Sequence, residues 1–141
     1  MVTPTRRGVL AGTVAGGLLA ATPGWTNDSG AIERWGMFEI ALNGPTEGNP
    51  FADVHLSARF SQGDRVVDVS GFYDGGGVYR IRFSPPETGP WRWTTTSNAS
   101  ALNGQSGDFR AVAPSQDNHG PVGVTGGYHF AHADGTPFRP I

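Results

Sequence analysis

Tyr79, Ile81 and Phe83 alternate with Val78, Arg80 and Arg82, and a little further on Trp91 and Trp93 alternate with Arg92 and Thr94. Successive side chains on a strand point to opposite faces, so this pattern predicts two half-buried strands. The spacer between them, Ser84-Pro85-Pro86-Glu87-Thr88-Gly89-Pro90, carries three prolines and cannot continue a central strand, because proline has no N–H for the ladder. The stretch therefore reads as an antiparallel pair. Its aromatic rings point inward, and Arg80, Arg82 and Arg92 share the outward face.

The flanking segments repeat the pattern. Trp35–Leu42 reads as a first strand, with Phe38, Ile40 and Leu42 on one face. Val54–Phe60 alternates most cleanly: Val54, Leu56, Ala58 and Phe60 in, His55, Ser57 and Arg59 out. Gln62-Gly63-Asp64 turns tightly into a strand at Arg65–Val69. Gly71–Gly77 reads as a glycine-rich loop and Ser97–Gly107 as a polar one. Asp108–Ala113 is a last strand with Phe109 and Ala111 on one face. Asn43-Gly44-Pro45 and Glu47-Gly48-Asn49-Pro50 mark turns. With 22 glycines and 11 prolines in 141 residues, short strands and many turns are favoured over helices. Six strands at this spacing predict an all-β, immunoglobulin-like antiparallel β-sandwich over residues 31–114.

Residues 115–141 differ. Pro114–Val124 reads as a linker. Tyr128–His132 and Thr136–Ile141 read as two short strands around an Asp134-Gly135 turn, the opening of a second domain that is cut off. At the other end, residues 1–30 read as an export signal and polar linker. Arg6 and Arg7 precede a run from Gly8 to Ala21 that is too short to span a bilayer comfortably. The order Thr5-Arg6-Arg7-Gly8-Val9-Leu10 resembles a bacterial twin-arginine signal, with an ordinary secretory signal as the alternative. The expected location is secreted or extracytoplasmic, with no membrane attachment once the signal is removed.

The formal net charge of −2 leaves no electrostatic footprint for nucleic acid. The absence of cysteine excludes disulfides and thiolate metal sites. All ten basic residues are arginine, so lysine Schiff-base chemistry and a P-loop are excluded as well. His129 and His132 are three apart, which on a strand sends them to opposite faces, so no metal site and no cofactor are expected.

Several short motifs, taken in order, carry a resemblance: Arg34-Trp35-Gly36-Met37-Phe38-Glu39, Gly48-Asn49-Pro50-Phe51, Gly71-Phe72-Tyr73-Asp74-Gly75, Tyr79-Arg80-Ile81-Arg82-Phe83, Gly89-Pro90-Trp91 and His119-Gly120-Pro121. Together they resemble the DUF5060 domain, an immunoglobulin-like module at the N-terminus of secreted bacterial glycoside hydrolases. The Tyr128–Ile141 segment is similar to the start of the DUF4038 or apiosidase-like catalytic barrel that follows it. The resemblance implies a non-catalytic accessory domain that packs against and supports a catalytic barrel in cis, missing from this chain.

Glycoside hydrolysis needs two carboxylates flanking the scissile bond. Here Glu39 sits mid-strand, Glu47 and Glu87 lie in turns, and Asp53, Asp64, Asp74 and Asp134 hold turn positions that Asp fills through its own backbone. No catalytic residues are assigned. The alternative class is a free-standing carbohydrate-binding module that takes polysaccharide on exposed aromatic rings. Trp91 and Trp93 are candidates, although their alternation suits core positions better. Phe72 and Tyr73, beside the glycine-rich loop, are expected to be exposed. Arg80, Arg82 and Arg92 complete the candidate set, to grip an acidic sugar or to dock a neighbouring domain.

Overall fold

Glycine and proline decide where this chain changes sheet. The computed structural model describes residues 31–141; the export-signal reading of residues 1–30 lies outside them. In chain order the elements are β1 (Ile32–Glu33), β2 (Phe38–Asn43), a one-turn helix α1 (Pro50–Asp53), β3 (Leu56–Gln62), β4 (Arg65–Ser70), β5 (Phe72–Gly75), β6 (Val78–Phe83), β7 (Gly89–Ser97), β8 (Ser106–Val112), β9 (Val122–Thr125), β10 (His129–His132) and β11 (Pro137–Phe138). One sheet has the order β1-β8-β7-β3-β4 and a second β2-β6-β5; β11-β10-β9 form a third, smaller sheet. The first two make the β-sandwich that the alternation predicts.

The expected hairpin between Tyr79–Phe83 and Trp91–Trp93 is corrected. β6 pairs with β2 and β5, whereas β7 pairs with β3 and β8, so the two strands lie in opposite sheets. The proline spacer is a crossover: Pro85 is fully buried, and its carbonyl accepts from Trp35 N at 2.9 Å. Gly71 makes the other switch, from β4 to β5. A Cβ there would lie 2.8 Å from Leu56 and 2.9 Å from Ile81, so only glycine lets the two sheets close at that point.

The core lies between the sheets. Phe38, Ile40 and Leu42 of β2 face Phe83, Ile81 and Tyr79 of β6 in register. Ala58 and Phe60 of β3 stand beside Thr95 and Trp93 of β7. Phe60 and Phe83 stack across the gap with ring centroids 4.1 Å apart, and Phe38 and Phe109 do the same at 4.0 Å. Trp91 and Trp93 are each 1% exposed. The one buried polar side chain among the described residues, Thr95, is satisfied: its hydroxyl donates to Leu102 O at 2.6 Å and accepts from Gln105 N at 2.9 Å.

Other boundaries move for local reasons. The first long strand begins at Phe38, because Trp35 adopts φ 66°, in the left-handed region, and closes a turn in which Gly36 N donates to Glu33 O at 2.8 Å. The glycine-rich segment contains strand β5, since Phe72 and Tyr73 find a partner edge in β6. The turn at Pro50 becomes α1, with proline in its first turn. The linker contains β9, which pairs with β10.

Candidate functional site

The candidate residues do not converge, and Trp93, 1% exposed, is a core residue. Trp91 is in the core, and its indole Nε1 donates to Glu87 O at 3.0 Å, so it offers no ring to a sugar. Tyr73 is half-buried, not exposed as expected: its ring turns inward to Tyr79, and its hydroxyl accepts from Gly77 N at 3.0 Å. Phe72, one residue earlier, faces outward on β5 and is 41% exposed. Arg80 and Arg82 share that outer face, where the Arg82 guanidinium lies over the Phe72 ring at 5.2 Å. Arg92 belongs to the opposite outer face, because β7 is in the other sheet. The common arginine face therefore fails for the same reason as the hairpin.

Each of these cations already has a carboxylate partner. Glu39, directly across from Arg82 on β2, accepts from Arg82 Nε at 2.7 Å and also from Arg80. Arg80 Nε reaches Asp74 at 2.5 Å. The hydrogen bond from Arg82 holds the Glu39 carboxyl below its ordinary range, and Asp74, then Glu39, push Arg80 up. Arg92 pairs with Asp108 at 3.2 Å. Each charge is matched on its own sheet.

Two further surfaces lie outside the six-residue binding set. On the outer face of the five-stranded sheet, cross-strand rows run Ser70–Ser57–Thr96, Asp68–Arg59–Thr94 and Val66–Ser61–Arg92. The rows line shallow clefts, one of about 420 Å³ beside Phe51, which is 75% exposed on α1.

The second surface is the β9–β11 sheet. Val124, Phe130 and Phe138 stand opposite one another across its three strands and are 67%, 48% and 39% exposed. This sheet is tied to the sandwich. Asn118 Nδ2 donates to Glu33 Oε2 at 2.9 Å and to Arg34 O at 3.0 Å, and Gly120 lies on the Trp35 ring. Arg34 covers that ring at 4.3 Å. His119 Nδ1 meets Asp134 Oδ2 at 2.7 Å, and His132 Nδ1 meets Gly120 O at 3.0 Å. Among the described residues, no three metal-capable side chains come together, and no helix is long and apolar enough to cross a membrane.

This arrangement defines a β-sandwich module of the immunoglobulin-like class with a small β-sheet clasped to one end. Residues 31–98 match the family model of DUF5060, a domain of unknown function. That match ends just past β7, so β8, which completes the sheet, lies beyond it. A crystal structure of a candidate glycoside hydrolase from Bacteroides vulgatus is similar at 45% identity and a TM-score of 0.74. The likeness covers 78% of this chain and 21% of that one, so the chain spans about a fifth of that relative's length. No curated protein matches the chain.

Proposed function

We propose that this chain is the non-catalytic accessory sandwich of an exported carbohydrate-active enzyme, and that it packs against a glycoside hydrolase domain in the same polypeptide. The observation that carries this reading is the exposed apolar row Val124–Phe130–Phe138 on a sheet held firmly to the sandwich. Burying a phenylalanine contributes about 1.5–3 kcal/mol, so a row of such rings favours a covering surface. The similarity to a fraction of a much longer candidate glycoside hydrolase supports a hydrolase domain as that surface. Residues 31–114 would then be the accessory sandwich and 115–141 the start of the neighbouring domain. Residues 1–30 would direct export, through the twin-arginine or the general secretory route.

The carboxylates support the non-catalytic part. A general acid in glycoside hydrolysis works with a raised pKa. Here the shifts run the other way: Glu33 is lowered by Asn118, Glu39 by Arg82, Asp68 by Arg59, and Asp134 by the Thr136 amide. Hydrogen bonds to the ionised form keep these four carboxyls deprotonated, the opposite of what a general acid needs.

Light scattering on the isolated chain tests the docking face. With the apolar row uncovered, self-association is expected at tens of micromolar or above, and Phe130→Ser with Phe138→Ser should abolish it. A wild-type chain that stays monomeric and binds no hydrophobic dye overturns the reading.

A further inference from the structure

Phe51 is the anomaly of the surface: a large apolar ring, 75% exposed, on a segment built not to move. Its one-turn helix is pinned at both ends. Asn49 O accepts from Ala52 N and Asp53 N, Asn49 N donates to the Asp53 carboxylate at 3.0 Å, and Asp53 O accepts from Asn98 Nδ2 at 2.7 Å. Pro50 is buried beneath. Tyr73 meets the Phe51 ring edge-on, at 5.0 Å and 85°, which fixes the ring without covering both its faces. A rigid, bare aromatic is what stacking on the apolar face of a sugar ring requires.

The surroundings supply the complementary chemistry. The 420 Å³ cleft beside Phe51 has Val54 and Leu56 in its wall and also presents Ser57, Ser70, Thr96 and Ser97. Ser57 and Thr96 also line the next cleft along the sheet, of about 440 Å³, with Thr94. The two clefts meet at Ser57 and Thr96 and form one track following β3. From His55 in the first cleft to Arg59 in the second, the chain covers about 13 Å at ~3.3 Å per residue. The cationic side chain in the track, Arg59, is engaged by Asp68 at 2.8 Å, so the track presents hydroxyls, not net charge.

The geometry points to a binding groove for a neutral oligosaccharide on the outer face of the β4-β3-β7 strands, with Phe51 as its stacking platform and Ser57 and Thr96 among its hydroxyl partners. This rests on the carbohydrate-active context proposed above. It does not depend on the β9–β11 docking face, since it is read on the isolated chain.

Calorimetric titration of the full chain with cellohexaose, laminarihexaose and mannohexaose tests it, with polygalacturonate as the charged comparator. At least one neutral hexasaccharide should bind with a Kd near or below ~1 mM. Phe51→Ala should weaken that binding about tenfold while circular dichroism stays native. Thr96→Ala should weaken it too. Three silent neutral titrations, unchanged affinity in Phe51→Ala, or preference for polygalacturonate would each overturn the inference.

Discussion

Gly120 sits so close on the face of Trp35 that a Cβ added to it would lie 2.6 Å from the indole Cδ2. Both residues adopt positive φ, 77° at Gly120 and 66° at Trp35. The contact seats the segment after β8 on the turn between β1 and β2, so what reads as a linker is partly the sandwich's own surface.

Gly120→Ala should therefore loosen the clasp, because it adds a clash and an unfavourable backbone conformation together. We expect a loss of about 1–3 kcal/mol, with faster amide exchange concentrated in residues 115–136. Gly123→Ala, where an added Cβ meets nothing within 4 Å, is the control and should leave exchange unchanged.

Phe60 is 0% exposed and stacks on Phe83 across the sandwich. Phe60→Ala should cost about 3–5 kcal/mol, read as a lower urea midpoint at constant m. Met37→Ala, at a side chain 61% exposed, should shift the midpoint little.

Thr95→Val keeps the shape of the side chain and removes its hydroxyl. Leu102 O then loses its 2.6 Å donor and Gln105 N its 2.9 Å acceptor. A loss of about 1–3 kcal/mol is expected from the unsatisfied buried groups, measured by the same urea titration.

The Asp134 carboxyl is held at about 2, chiefly by the Thr136 amide and then by His119. A depressed folded-state pKa means stability that is present above the ordinary value of 3.8 and lost as pH falls toward about 2. The β10–β11 turn should thus open across that window, visible as broadening of the Thr136 amide resonance. Asp134→Asn retains an acceptor for that amide and should flatten the pH dependence.

Much of the sandwich is legible in the sequence because period two is a direct record of burial. The inward sets Phe38/Ile40/Leu42, Leu56/Ala58/Phe60 and Tyr79/Ile81/Phe83 are all buried as the alternation implies. Alternation does not say which strand lies beside which. Tyr79–Phe83 and Trp91–Trp93 look the same to the eye whether they share a sheet or face each other across a core. The prolines between them suit a crossover as well as a turn. That ambiguity carried over to the arginines and split Arg92 from Arg80 and Arg82. The exposure of Phe51 is not legible for a different reason. A single helical turn has no periodicity to detect, and the preceding Gly48-Asn49-Pro50 announces only a bend. The left-handed Trp35 has no sequence signature either, since aromatic residues are uncommon there and the conformation is imposed by Pro85 and Gly120 from afar.

The short strand β1 runs parallel to β8, pairing Ile32 with Ala111 and Glu33 with Val112. The chain thus enters the sandwich at Ile32 and leaves it after Val112 at neighbouring points of one sheet edge, heading the same way along the strand axis. Such a unit can hang from a longer polypeptide by neighbouring attachment points. It also follows that during synthesis Ile32 waits for its partner until nearly the whole unit has left the ribosome.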